Sequence, residues 1–399
     1  MNIFSKFYCR VYQIIMRSFV ALMPYREPKN LMDYSDLLKV LEEHSFDNIL
    51  LITDKGVRTA GLTKGLEEYL QASGVEVVVF DKTVANPTTK NVEDAVMLYK
   101  EKQCQAIIAV GGGSPMDCAK AVGARLACPN KTLNDMKGLL KVNHKLPMLI
   151  AIPTTAGTGS ETTLSAVITD SETRHKYAIN DFDLIPNYAL LDVKLTLGLP
   201  KMMTATSGMD ALTHAIEAYI GKSTTISTRR NALTAIKLIF ENLETAYNDG
   251  SNVQARKRML RASYKAGLSF MKSYVGYVHA VAHSLGGKYD TAHGFANAVL
   301  LPHVLKKYGK SVYKKLYKIG KFCSLFDENT SLEDGARMVI NKIETMNKNM
   351  NIQTKITDLK KEDINELAKI AAKEANPLYP VPKLFTAKEL ESIYLEILK

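Results

Sequence analysis

Cysteine is scarce and scattered in this 399-residue chain: Cys9, Cys104, Cys118, Cys128 and Cys323 are odd in number and contain no C-x-x-C pair. A disulfide framework is not expected, and a reducing, cytoplasmic setting fits best. The apolar stretch near the start is interrupted by Arg17 and is shorter than the roughly 20 residues a bilayer-spanning helix needs. No A-x-A-like cleavage site follows it, so neither a transmembrane segment nor a secretory signal is expected. Internal repeats and low-complexity tracts are also missing. What remains is an ordinary globular composition, 46% hydrophobic and 23% charged, with a length that suits two domains.

Acidic residues are outnumbered, and the net charge is +11. Much of the excess is local, in Lys306, Lys307, Lys310, Lys314, Lys315, Lys318 and Lys321. These are spaced around a helix whose apolar stripe includes Val312, Leu316 and Ile319. A solvated helix face accounts for them, with a docking face for an acidic partner or phosphate as the alternative. Stacking aromatics do not alternate with the cations, so nucleic acid is not expected. At the start, Phe4, Tyr8, Val11, Ile15, Phe19 and Leu22 recur at three- and four-residue steps while Lys6, Arg10 and Arg17 lie elsewhere around the helix. This basic amphipathic helix is expected to pack on its own or a neighbouring subunit, with a membrane surface or a partner that reads it as a tag as alternatives. Residues 25–30, flanked by Pro24 and containing Pro28, read as a linker.

From about Phe46 to Pro153, short apolar runs alternate with helix-like stretches, the pattern of parallel strands joined by crossover helices. Strands are expected at 48–53, 75–80, 106–110 and 148–152, and helices at 59–73, 91–102 and 115–126. Beyond Leu199 helical periodicity takes over, at 205–220, 228–248, 251–269 and 360–375. The expected architecture is an α/β dinucleotide-type domain with a parallel sheet (31–198) and an all-α domain (199–399), preceded by the helix and linker of 1–30.

The strand Ile107-Ile108-Ala109-Val110 runs into Gly111-Gly112-Gly113-Ser114-Pro115-Met116-Asp117, glycines opening a helix. Bare backbone lets an anion approach closely, and the helix start favours negative charge. The loop is not the G-x-G-x-x-G fingerprint, and its alternative reading is a tight strand-to-helix turn. A second loop, Pro153-Thr154-Thr155-Ala156-Gly157-Thr158-Gly159-Ser160-Glu161, adds hydroxyls suited to phosphate and ribose. Both belong at the carboxyl edge of a parallel sheet, where ligands collect. Asp54, at the end of another strand, can accept from a ribose 2′-hydroxyl and repel a 2′-phosphate, which points to NAD rather than NADP. Its other reading is a helix-capping aspartate. It precedes the glycine loop instead of following it, so the topology is not the standard dinucleotide fold.

Of eight histidines, His279, His283 and His293 are close in sequence, and His214 follows Asp210 by four residues, one helical turn. A carboxylate with several imidazoles suits a divalent ion such as Fe(II) or Zn(II), and ligand type does not choose between them. His279 and His283 repeat the four-residue spacing, and spacing alone does not choose between them either. His44, His144, His175 and His303 read as lone histidines satisfied by ordinary hydrogen bonds.

At these residues the chain resembles the iron-containing (group III) alcohol dehydrogenases. The matching stretches are Gly111 to Asp117, Pro153 to Glu161, Gly208 to Glu217 and Val278 to Pro302. The resemblance implies that Asp210, His214, His279 and His293 hold the metal and that His283 is a pocket histidine that does not. It implies nucleotide contacts from Asp54, Asn86 before Pro87, Gly112, Gly113, Ser114, Asp117, Thr154, Thr155, Thr158 and Lys176, with Leu195 against adenine. Ser284 and Ala292 depart from prolines common in the family, and the first thirty or so residues have no family counterpart.

The expected activity is NAD(H)-dependent interconversion of primary alcohols and aldehydes by a homodimer or larger homo-oligomer. The metal would act as a Lewis acid and His283 would relay a proton. The alternatives are a polyol oxidoreductase resembling glycerol dehydrogenase, a cyclising enzyme resembling dehydroquinate synthase, and a non-enzymatic microcompartment or membrane-associated scaffold.

Overall fold

The computed structural model describes residue 1 and residues 3–399, without the side chains of 19–22. Pro24–Leu197 forms one compact unit, and Met1–Met23 with Gly198–Lys399 forms the other.

The first unit contains nine strands: β1 (Lys29–Leu31), β2 (Asn48–Asp54), β3 (Glu76–Thr83), β4 (Ala106–Gly111), β5 (Gly138–Leu139), β6 (Met148–Pro153), β7 (Ser165–Thr169), β8 (Lys176–Asn180) and β9 (Tyr188–Leu190). Six form a sheet in the order β1-β9-β6-β4-β2-β3, every pairing parallel. The remaining three form a small sheet in the order β5-β8-β7. The central strands are continuous apolar runs because helices cover both faces of a parallel sheet. Alternation then sorts the side chains. Leu50, Ile52, Ile107, Ala109, Leu149 and Ala151 enter one core, while Ile49, Leu51, Ile108, Val110, Ile150 and Ile152 enter the other.

The four strands expected from the sequence are present. The single helix expected at 59–73 is instead two, Lys55–Thr59 and Lys64–Ala72, separated where Gly61 adopts φ +70, a conformation glycine allows at little cost. The linker expected at 25–30 ends inside β1, whose Lys29 and Asn30 pair with Tyr188 and Ala189. Strands β5, β7, β8 and β9 escaped the reading because they hold two to five residues each and mix polar with apolar side chains.

The second unit is built of helices. Its centre is Lys201–Ile220, in which every residue from Gly208 to Ile220 is buried, so this stretch has no solvent-facing side. A Cβ at Gly208 would lie 2.3 Å from Leu243 Cδ1. Glycine there lets the helix Ile226–Asn248 approach closely. The single lysine-rich helix expected around 306–321 is two, His293–Tyr308 and Lys310–Phe322, broken at Gly309 with φ +54. Val312, Leu316 and Ile319 are buried as the stripe requires. Lys315, however, is not on a solvated face: its Nζ caps the central helix through Tyr219 O at 2.9 Å and Gly221 O at 2.7 Å.

The helix Ile3–Leu22 packs on its own unit by the side opposite its apolar stripe. Phe4, Tyr8, Val11 and Ile15 are 80%, 61%, 37% and 62% exposed, whereas Cys9 and Gln13 on the opposite side are buried. Its apolar stripe therefore does not pack on its own subunit. Two members of that stripe, Phe19 and Leu22, have side chains outside the described residues. Among the described residues no helix is long and apolar enough to cross a membrane.

Candidate active site

In the α/β unit, β2, β4 and β6 are neighbours in the sheet, so Asp54 and both glycine loops emerge along one carboxyl edge. Gly111 sits at φ +154, and a Cβ there would meet Pro115 Cγ at 2.5 Å. Only glycine suits that turn. Gly112 precedes the helix Gly113–Ala127. A Cβ on Gly112 would be 3.5 Å from Thr155 Oγ1, and one on Gly113 would be 3.2 Å from Thr158 Cγ2. Thr154 N–H donates to Gly111 O at 3.0 Å. The structure thus brings Gly112, Gly113 and Ser114 together with Thr154, Thr155 and Thr158.

The remaining expected nucleotide contacts are less uniform. Asp54 Oδ1 accepts from Val57 N–H at 2.9 Å and caps the short helix after it. Asp117 is a strut, with Oδ1 accepting from Ser160 Oγ at 3.0 Å and Oδ2 from Val167 N–H at 3.1 Å. Asn86 adopts φ +55, and the carbonyl of the adjacent Pro87 accepts from Thr169 N–H at 2.8 Å. Lys176 pairs opposite Thr169, so Asn86 and Lys176 share that edge. Leu195 is a core residue, packed with Val57 and Leu190 in one cluster.

Two residues of this unit were missed. Lys120 is fully buried and donates to Ser160 O at 2.7 Å, Thr163 Oγ1 at 2.6 Å and Ser165 O at 3.0 Å, gathering the end of the second loop. Burial lowers its pKa to about 8 against the pull of Asp117 and Glu161. Glu161 is 1% exposed, its Oε1 has no hydrogen-bond partner among the described residues, and burial raises its pKa to about 7. A lysine and a glutamate inside a helix and a loop read as surface residues by default, so only their three-residue and one-residue offsets from Asp117 and Ser160 marked them.

In the helical unit, Asp210, His214 and Glu217 lie on one stripe of the central helix. His279 and His283 come from the helix Tyr277–Tyr289, and His293 and Asn297 from His293–Tyr308. Asp210, His214, His279 and His293 each offer a ligand atom, and those four atoms lie within 4.8 Å of one another. Asp210, His214 and His279 are buried; the His293 side chain is 40% exposed. Asn297 Nδ2 donates to Asp210 Oδ1 at 2.7 Å, and contacts His293 Nε2 at 3.0 Å and His279 Nε2 at 3.3 Å. His214 stacks on Phe270, ring centroids 4.2 Å apart.

The donor set fits a divalent cation. Glu217 accepts from Gly276 N–H at 2.7 Å, Val278 N–H at 2.8 Å and His279 Nδ1 at 2.7 Å. Because a carboxylate accepts, His279 carries its proton on Nδ1, which leaves the Nε2 lone pair toward the cluster, the tautomer a metal ligand needs. Burial, then its neighbouring imidazoles, holds His279 well below the usual histidine range. Desolvation of its cluster-facing side also lowers His293 to about 4, despite Asp210. Both are neutral near pH 7. Burial raises Glu217 to about 7 against its backbone donors. A Cβ at Gly276 would lie 2.6 Å from Glu217 Oε1, so glycine there makes room for the carboxylate.

His283 stands outside the cluster of four. Its ring is 5.3 Å from that of His293 and 5.9 Å from that of His279, and its Nδ1 meets Glu374 Oε1 at 2.7 Å. Desolvation is the largest single influence and opposes its charge, but Glu374, Glu217 and Asp210 together outweigh it and raise its pKa. Glu217, Asn297 and Glu374 were not expected. Glu217 is seven residues after Asp210 and Asn297 four after His293, spacings that put each on the ligand face; Glu374 is distant in sequence and had no such signal. Ser284 uses its hydroxyl, donating to Val281 O at 2.8 Å and pairing with Tyr394 Oη at 2.6 Å. His44, His144 and His303 each have a partner, in Val40 O, Val142 O and Glu396.

A parallel sheet with anion-type loops at its carboxyl edge and a helical unit with a carboxylate–imidazole cluster are the two parts of a metal-dependent dehydrogenase. The family model described as iron-containing alcohol dehydrogenase matches residues 31–193, and that described as Fe-containing alcohol dehydrogenase family, C-terminal, matches 204–398. The 1,3-propanediol dehydrogenase of Citrobacter freundii is 39% identical over 349 residues, 86% of this chain and 90% of that protein. The NAD-dependent methanol dehydrogenase of Bacillus methanolicus is 37% identical over 327 residues, 81% of this chain and 85% of that protein. A crystal structure of 1,3-propanediol oxidoreductase superposes with TM-score 0.90 at 36% identity, covering 94% of this chain and all (100%) of that one. The chain belongs to the iron-containing alcohol dehydrogenase family and is an alcohol–aldehyde oxidoreductase. These relatives favour that activity over the polyol and scaffold alternatives.

Proposed function

We propose that Asp210, His214, His279 and His293 hold a divalent cation, Fe(II) or Zn(II), and that the loops after β4 and β6, with Asp54, Asn86 and Lys176, receive NAD(H). The observation that carries this is the Glu217–His279 contact, which sets a buried imidazole in the tautomer and orientation a cation requires. A bound cation supplies Lewis acidity toward a carbinol or carbonyl oxygen, and a bound nicotinamide supplies or accepts hydride.

The chain's own groups do the rest. His283 donates Nδ1–H to Glu374, which leaves Nε2 to take the hydroxyl proton in alcohol oxidation and to return it in aldehyde reduction. Gly112 and Gly113 bring bare backbone to the phosphates, and the Asp54 carboxylate favours a free ribose 2′-hydroxyl over a 2′-phosphate. A relative bearing the name NAD-dependent methanol dehydrogenase supports NAD and a short primary alcohol. Five free cysteines, four of them buried, suit a reducing cytoplasm.

The test is NADH absorbance with short aldehydes, using protein prepared anaerobically and loaded with Fe(II) or Zn(II). Turnover is expected with at least one metal. Silence with both metals, both nicotinamides and every aldehyde and alcohol tried sinks the reading.

A further inference from the structure

The segment Asn376-Pro377-Leu378-Tyr379-Pro380-Val381-Pro382 contains three prolines, which have no N–H and cannot sustain a backbone ladder. Tyr379 O accepts from Val381 N–H at 2.8 Å within the segment, the other carbonyls must be answered from elsewhere, and the N-terminal helix donates to four carbonyls of the segment. Gln13 Nε2 donates to Pro377 O at 3.1 Å and Tyr379 O at 2.7 Å. Arg10 donates to Val381 O at 2.7 Å and Pro382 O at 3.0 Å. Arg10 also donates to Gln13 Oε1 at 2.7 Å, which turns the Gln13 amide so that its NH₂ faces the segment. A fifth carbonyl, Pro380 O, accepts from Lys222 N–H at 2.7 Å. Gln13 is 4% exposed, so the carbonyls it serves would not readily find water in its place.

From this strapped segment the buried Tyr379 side chain reaches back, and its hydroxyl donates to Glu374 Oε1 at 2.7 Å. That oxygen is the one that accepts from His283 Nδ1. The contacts form one line from Arg10 and Gln13 through Tyr379 and Glu374 to His283. Residues 1–30 precede both family matches, so this support is supplied by a part of the chain outside the matched residues.

We infer that Arg10 and Gln13 are positioning residues for the alcohol–aldehyde reaction: the N-terminal helix fixes the segment 377–382 so that Tyr379 and Glu374 hold the His283 ring in place. The inference rests on the reading of His283 as the proton-transfer residue. The helix is then a working part of the enzyme, and its exposed stripe is a separate matter. Misplacement of a reacting group by about 1 Å can cost on the order of 100-fold in rate; loosening one support in a line of several should cost less.

The experiment uses the full-length, metal-loaded enzyme. Gln13→Met keeps the side-chain volume and removes both donors. It is expected to lower kcat about tenfold with the aldehyde KM little changed, metal content equal to wild type, and faster amide exchange at Val381 and Lys222. Tyr379→Phe should lower kcat similarly, and the double variant should be no worse than either single one, because both act through one line. If Gln13→Met fails to fold or loses metal, Arg10→Lys takes its place in the same cycle. Wild-type kcat in Gln13→Met alongside a slowed His283→Ala overturns this inference and leaves the proton-transfer reading standing. An unaffected His283→Ala overturns both, and losses that multiply in the double variant overturn the shared line.

Discussion

Glu217 and His279 meet at 2.7 Å with side chains 1% and 2% exposed, a carboxylate–imidazole contact sealed from water. The carboxylate is also held by two backbone N–H groups at the start of the helix that carries His279. A single residue of the central helix therefore sets both the position of that helix start and the tautomer of a ligand. Glu217→Gln preserves the shape but removes the charge. It should weaken Fe(II) or Zn(II) binding about 10- to 100-fold, read by metal content after dialysis against a graded chelator. Unchanged retention of metal would show that the contact is structural only.

His283→Ala should reduce turnover while metal content remains that of the wild type, because His283 stands outside the four converging ligand atoms. General acid–base groups typically contribute about 10²–10⁴-fold, and the lower end is expected here, where the side chain is 43% exposed and water can substitute. Loss of the metal from this variant would make His283 a ligand and refute its assignment to the pocket.

Asp54→Asn keeps an oxygen for the Val57 N–H cap and removes the negative charge. The ratio of kcat/KM for NADP to that for NAD should rise by about tenfold or more, the order of effect expected from relieving one charge–phosphate repulsion. Stability should be nearly unchanged, since the cap survives. An unaltered coenzyme ratio would mean that Asp54 serves as a cap alone.

Glu161 provides a test by pH. Its folded pKa, raised to about 7 by burial from the ordinary 4.5, means that the native state binds a proton more tightly than the unfolded state. Its contribution to stability is fully present below about pH 4.5 and is lost as pH rises through 7. The cost above pH 7 is roughly 3 kcal/mol. Glu161→Gln should therefore change the denaturation midpoint little at pH 5 and raise it at pH 8. A stabilisation equal at both values would place the effect in packing instead of charge.

The periodicities carried a large part of this protein. Runs such as Ile49-Leu50-Leu51-Ile52 are apolar at every position because both faces of a parallel sheet are covered, so the strands and the division into an α/β and a helical part were legible locally. The four-residue steps from Asp210 to His214 and from His279 to His283 likewise marked a ligand face on each helix. Short strands such as Tyr188–Leu190, and the break at Gly309, left weaker local signals, since their conformation is imposed by neighbours.

What the sequence by itself determined was the inventory: two kinds of periodicity, two glycine loops, a carboxylate with clustered imidazoles, and a basic amphipathic helix at the start. Tertiary structure alone decided what those parts face. It turned His279 toward Glu217 and His283 toward Glu374, although the two are equivalent by spacing, because the carboxylates that orient them come from segments 62 and 91 residues away. It likewise turned the polar side of the first helix inward, where Gln13 and Arg10 satisfy carbonyls of a proline-rich segment more than 360 residues distant. Hydrophobic periodicity records which side chains share a face of an element. In the first helix the face that goes inward is the one whose donors answer the carbonyls of the segment it meets.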